Sequence, residues 1–108
     1  MTDKIVVLTT CGSAKEAEMI ARSLVEKRLA ACVNVTAGVK SIYRLKDAVE
    51  ESEEILLVVK SSRGLFEELR AEIVKLHSYE VPEVIAMQIV DGAETYLDWM
   101  ERELVKKE

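Results

Sequence analysis

Apolar residues in this chain switch between strand-like and helical spacing, and the switches mark its elements. Lys4 to Thr10 carries Ile5, Val6, Val7 and Leu8 in one β-branched run, which predicts a strand buried on both faces. Cys11-Gly12 ends it. Ser13 followed by Glu16 is a capping-box pattern, and Ala17, Ile20, Ala21, Leu24 and Leu29 then recur at helical spacing, predicting a helix to about Arg28. Ala31 to Arg44 alternates through Val33, Val35, Val39 and Tyr43 and reads as a strand, with Gly38 marking a bulge or bend. Lys46-Asp47-Ala48 is the turn of a long hairpin returning from Val49 to Ser61. On that return Glu50, Glu51, Glu53 and Glu54 lead into Ile55-Leu56-Leu57-Val58-Val59, a run expected at the centre of a sheet.

A second helix is predicted from about Arg63 to His77, capped by Ser62, with Phe66, Leu69, Ile73 and Leu76 as its apolar stripe. Val84 to Val90 reads as a fourth strand. Asp91-Gly92 breaks it, and Tyr96, Leu97, Met100 and Leu104 mark a short C-terminal helix, with Lys106-Lys107 placed to suit its dipole. The order β-α-β-β-α-β-α is an α+β arrangement of the ferredoxin-like split type, expected as one domain over residues 1–108. Two helices cover one face of such a sheet, yet the strands are apolar on both, and the C-terminal helix reaches only part of the second face. Each apolar side chain left in water forgoes about 1.5 to 3 kcal/mol, so other copies of the chain are expected to cover the remainder, with the long hairpin reaching between them.

Composition narrows the partners. The net charge of −5 argues against a nucleic-acid backbone or an anionic membrane, both of which are bound through clustered Lys and Arg, and leaves cations as partners. The start of the chain runs directly into a strand, so no signal peptide is expected, and no apolar run has transmembrane length. The expected location is the cytoplasm, where Cys11 and Cys32 stay reduced.

Candidate chemistry concentrates in Leu76-His77-Ser78-Tyr79-Glu80-Val81-Pro82-Glu83, which holds the only histidine and the only proline of the chain at a helix-to-strand junction. His77 reads either as a metal ligand or as a helix-terminal residue whose imidazole suits the dipole. Cys32, between Ala31 and Val33 on a strand, is either a small buried hydrophobe or a ligand; Cys11, at the end of the first strand, is expected to be more exposed and open to a soft metal. Their spacing matches no zinc finger or ribbon, so no metal is required for folding. The glutamates of the hairpin read as a solvated edge before they read as ligands for a hard cation. Trp99 is a core or interface anchor. No nucleophile is paired with a base, no Gly-rich phosphate loop is present and there is no second histidine, so a non-enzyme is expected.

Taken together, Glu26-Lys27-Arg28-Leu29-Ala30-Ala31-Cys32-Val33-Asn34, Ser41-Ile42-Tyr43-Arg44, Val49-Glu50-Glu51, Val59-Lys60-Ser61, His77 to Glu83 and Tyr96-Leu97-Asp98-Trp99 resemble the CutA divalent-cation-tolerance family in order and spacing. The resemblance implies a cytoplasmic homotrimer, similar in architecture to the PII signal proteins and associated with tolerance to copper and other divalent cations, with His77 and Cys32 as candidate ligands; Cys11, which lies in none of these blocks, is a third candidate from its place at the end of the first strand. The resemblance also places Lys60 near an inter-subunit cleft with Tyr79 and Glu80, and Tyr43 near the same junction. That cleft carries the alternative reading, a PII-like sensor of a small anionic metabolite that reports to a protein partner. Two positions depart from the family pattern: Ser78 stands where a proline usually follows the histidine, predicting a less rigid loop, and Thr9 stands where some members have a first-strand cysteine.

Overall fold

The computed structural model describes residues 2–106, in the order β1 (Lys4–Cys11), α1 (Ala14–Glu26), β2 (Cys32–Leu45), β3 (Ala48–Ser62), a 3-10 turn (Arg63–Leu65), α2 (Phe66–Leu76), β4 (Ile85–Gln88) and α3 (Glu94–Glu103). The strands form one antiparallel sheet in the order β2-β3-β1-β4, which is the ferredoxin-like arrangement. β3 and β1 lie inside, as their continuous apolar runs require, and β2 and β4 are the edges.

Local chemistry sets the boundaries. Ser13 Oγ accepts from the Glu16 amide at 3.2 Å and starts α1. Arg28, in the left-handed region at φ 58, stops it two residues earlier than periodicity suggests, and the Leu29 and Ala30 amides turn back to the Leu24 carbonyl at 2.9 and 3.1 Å. Lys46 and Asp47, both at positive φ, make the two-residue hairpin turn, and Gly38, at φ 79, sits in the irregularity between Thr36 and Val39. Ser62 does not cap α2. It is still paired with Lys4 in the sheet, and the chain makes its 3-10 turn before the helix begins at Phe66.

Alternation divides the sheet into two faces. Val7, Thr9 and Cys11 on β1, with Leu57 and Val59 on β3, point toward α1 and α2 and meet Ile20, Leu24, Leu69 and Ile73 in the main core. Val6, Leu8, Leu56, Val58, Ile85 and Met87 share the opposite face, where none is fully buried. The C-terminal helix does not cover them: Met100 and Leu104 pack on Ala31 and Leu65 in a smaller cluster at the end of the sheet, joined by Leu97 and a half-buried Trp99. β4 is shorter than its apolar run and exposed along its length. Lys106 Nζ reaches Glu101 as the dipole argument expects, whereas Lys107 lies outside the described residues.

Between α1 and α2, Glu72 Oε2 accepts from Ser23 Oγ at 2.9 Å and from Lys27 Nζ at 2.7 Å, and the Lys27 ammonium holds the Glu72 carboxyl below its usual range. Its pKa is lower folded than unfolded, so the stabilisation is complete above the unfolded value of about 4.3 and disappears as pH falls through the depressed folded value. Glu72→Gln should therefore destabilise by about 0.5 to 1 kcal/mol at pH 7, given a half-exposed lysine partner. Urea midpoints of variant and wild type should converge as pH falls below 4; a gap that persists there would show that charge is not the cause.

Candidate metal centre

Three elements converge where β1 ends. Cys11 is the last residue of β1 on the helix-facing side and is paired with Ile55; the two-residue link Gly12-Ser13 then brings the first turn of α1, with Glu16, back beside it. His77 follows the last residue of α2, adopts extended backbone, and turns its fully buried ring inward. As a result the Cys11 sulfur, a Glu16 carboxylate oxygen and a His77 ring nitrogen all lie within 4.8 Å of one another.

The hydrogen bonds assign the tautomer. His77 Nδ1 accepts from the Tyr79 backbone N–H at 3.1 Å, so the proton sits on Nε2, which donates to the Thr10 carbonyl at 2.7 Å. Donating Nε2–H to a backbone carbonyl fixes the tautomer that metal-binding histidines use, while the lone pair on Nδ1 is directed at the Tyr79 N–H and reaches a cation only when that bond opens. Glu16 is fixed from the loop: Ser78 N–H donates to Oε1 and Ser78 Oγ to Oε2, both at 2.9 Å. Glu16 Oε2 lies 3.9 Å from His77 Nδ1.

Burial, with the charges of Glu16 and Glu54 behind it, pushes the Cys11 thiol up to about 11. The negative field that adds to burial in keeping this thiol protonated also attracts a cation, which supplies the positive charge a thiolate there lacks. Tetrahedral coordination at bond lengths of 2.0 to 2.3 Å separates ligand atoms by about 3.3 to 3.8 Å, so the three groups need to close by only about 1 Å. Thr9, one residue pair back on the same face of β1, is buried, and its hydroxyl finds no hydrogen-bond partner among the described residues.

Beside this cluster lies a groove of about 590 Å³ whose lining includes Tyr43, Leu45, Glu54, Tyr79, Val81 and Glu83. The Tyr79 ring rests against His77, with centroids 4.6 Å apart, and its hydroxyl donates to Glu54 Oε2 at 2.7 Å. That bond, followed by desolvation, pushes the phenol up to about 12. Gly12 leaves room for it, since a Cβ at this position would come within 3.1 Å of the Tyr79 oxygen.

Several sequence expectations change here. Cys11 is not exposed: pairing with β3 and the return of α1 bury it completely. Glu54 is not part of a solvated edge but is buried against Tyr79. Cys32 lies opposite Lys60 on the far face of the sheet, so it does not join Cys11 and His77 within one chain, and both cysteines are free thiols. Lys60 Nζ donates to Asn34 Oδ1 on that face, six residues along β3 from Glu54 and therefore about 20 Å from it. Within one subunit Lys60 therefore does not meet Tyr79. Glu80 is exposed, and Tyr43 does share the groove with Tyr79. The carboxylates of Glu54 and Glu83 make that groove unfavourable for an anion. The residue that sequence reasoning missed is Glu16, which pattern assigned to helix capping and the fold diverts to the site.

The family model for the CutA1 divalent ion tolerance protein matches residues 5–103. The chain belongs to this family. It is 47% identical over 95 residues to the divalent-cation tolerance protein CutA of Thermus thermophilus, covering 88% of this chain and 92% of that one. It is 38% identical over 96 residues to the chloroplastic protein CutA of Arabidopsis thaliana, covering 89% of this chain and 53% of the relative, so it spans about half of that relative's length. Among solved structures, the Thermus thermophilus Cut A1 protein superposes with a TM-score of 0.92 at 44% identity, covering 94% of this chain and 99% of that one. CutA from Xylella fastidiosa gives 0.94 at 36%, covering 96% and 100%.

Against the CutA pattern, Ser78 takes on a definite role. The proline that the resemblance leads one to expect at that position would have neither an N–H nor a hydroxyl, whereas Ser78 uses both to hold Glu16. The substitution that predicts a looser loop instead ties the loop to α1. No helix in the described residues is long and apolar enough to cross a membrane.

Proposed function

We propose that this CutA1-family chain is a binding protein, not an enzyme, for a soft or borderline divalent cation held by Cys11, Glu16 and His77, with copper favoured. The single observation that carries this reading is the convergence of a thiol, a carboxylate and an oriented imidazole within 4.8 Å. Thiol and imidazole select copper or zinc over calcium or magnesium, and copper stands highest in the divalent affinity order. The metal is not needed for folding, because each group already has a place: Cys11 in the core, His77 on Thr10 and Tyr79, Glu16 on Ser78. The names of the family model and of the Thermus thermophilus relative, which carry divalent ion or cation tolerance, support the same chemistry.

The working form is a homotrimer in the cytoplasm, where reducing conditions keep Cys11 a thiol. Its support is the uncovered apolar face together with the exposed hairpin side chains, Ile42 at 65% and Val49 at 68% among them. Cobalt(II) tests the site. The reduced protein should bind one cobalt per chain with a thiolate-to-metal absorption band in the near ultraviolet. Cys11→Ser should abolish the band and Cys32→Ser should leave it. A band that survives Cys11→Ser, or none in the wild type, would reject the assignment.

A further inference from the structure

The same His77 nitrogen that faces the metal cluster is already in use. Nδ1 has one lone pair in the ring plane, and the Tyr79 N–H occupies it at 3.1 Å. Nε2 is no substitute, since it donates to the Thr10 carbonyl at 2.7 Å on the other side of the ring. Holding an ion at Nδ1 and accepting from Tyr79 are therefore mutually exclusive. Glu16 faces no such conflict, because each carboxylate oxygen has a second lone pair and can keep its bond from Ser78 while it ligates.

We propose that the Cys11, Glu16 and His77 site works as a switch on the neighbouring groove: loading it frees Tyr79 from His77 and so loosens the Tyr79 to Glu54 bond at the groove floor. This rests on the metal reading above and states how its occupancy is reported. The hinge lies between Ser78, which stays on Glu16, and Tyr79, which must leave Nδ1. Tyr79 joins the two sites through its own hydrogen bonds, with its amide on His77 and its hydroxyl on Glu54. Displacing the amide shifts the ring now packed on His77, and Gly12, with no Cβ beside the phenol oxygen, leaves space for that shift. A freed Glu54 would leave a buried carboxylate without its donor at the base of a groove lined by Tyr43, Leu45, Val81 and Glu83, a surface suited to a cationic group. Metal occupancy would thus become a change in what the groove accepts.

Linkage makes this testable in both directions. Zinc(II) is the probe, being diamagnetic, and the full assembled protein is used with ¹⁵N labelling. At saturating zinc the Tyr79 amide should exchange at least about tenfold faster than in the free protein, while the Ser78 amide keeps its protection. Conversely Tyr79→Phe, which removes the hydroxyl bond that favours the metal-free arrangement, should bind zinc about three- to tenfold more tightly. If zinc binds, with loss of binding in Cys11→Ser, but the Tyr79 amide stays as protected as before, the switch is overturned and the metal site stands. Unchanged zinc affinity in Tyr79→Phe overturns it as well. If zinc fails to bind the wild type, the site assignment falls and the switch with it.

Discussion

Cys11→Ser and His77→Ala should each weaken zinc binding about a hundredfold or more, Glu16→Gln about tenfold, and Cys32→Ser not at all. The ranking follows from the chemistry of each group. A thiolate and an imidazole form the strong bonds in a soft or borderline site, so removing either leaves two ligands where three were arranged, while glutamine keeps an oxygen but loses the charge. Cys32 is the internal control, since it sits on the opposite face of the sheet beside Lys60. Because the three ligands act as one unit, the double variant Cys11→Ser with His77→Ala should lose little beyond the worse single variant. His77→Ala also deletes the partners of the Thr10 carbonyl and the Tyr79 amide, and a loss of about 1 to 3 kcal/mol in stability should accompany it. Competition titrations with a chelating indicator, read alongside circular dichroism of each variant, separate lost binding from lost folding. Equal affinity across all four single variants would show that the ion binds elsewhere.

Val58→Asp should leave no stable folded subunit at micromolar concentration. Val58 lies on β3 in the middle of the uncovered face, flanked across the sheet by Leu8 and Asn34. With Val6, Leu56, Ile85 and Met87 it forms an apolar surface that α3 does not reach. If other copies bury that surface, each of these side chains contributes about 1.5 to 3 kcal/mol to the assembled state, and an aspartate there is a buried charge without a partner. Folding and assembly then become one equilibrium, so the wild-type unfolding midpoint should rise with protein concentration. Sedimentation equilibrium should give about three times the 12.1 kDa chain mass for the wild type. A folded 12.1 kDa monomer at micromolar concentration, or a Val58→Asp protein as stable as its parent, would defeat the burial argument.

How far the sequence could be read depends on the range of the interaction concerned. Element identity and order followed from periodicity, because a strand apolar on both sides and a helix with one apolar stripe are properties of neighbouring residues. The Gly38 irregularity was visible for the same reason, since backbone conformations at positive φ have a short list of suitable residues, and of the two turn residues Asp47 is on that list while Lys46 is not. Helix ends were less legible: Arg28 stopped α1 early, and Ser62 stayed in the sheet instead of capping α2, because tertiary pairing outranked local preference. The site was half visible. His77 and Tyr79 stand out as rare chemistry at one junction and Tyr43 through the long hairpin, but Cys11 reads as more exposed than it is and Cys32 as a candidate ligand beside it.

What the sequence by itself determined, then, is which segments become strands and helices, which residues form the main core, and that one sheet face is left apolar without helices to cover it. These are consequences of spacing along the chain. Only the tertiary structure decided that the Glu16 side chain bonds Ser78 while its amide stays on the Ser13 cap, that Glu54 is buried under Tyr79, and that Cys11 and Cys32 lie on opposite faces of the sheet, level with Ile55 and Lys60 of β3. Whether a strand residue faces one side or the other depends on register, and a register shift of one residue exchanges the faces. Which carboxylate meets which imidazole depends on the 60 residues between Glu16 and His77 folding back on themselves, and no local pattern in the chain records that return.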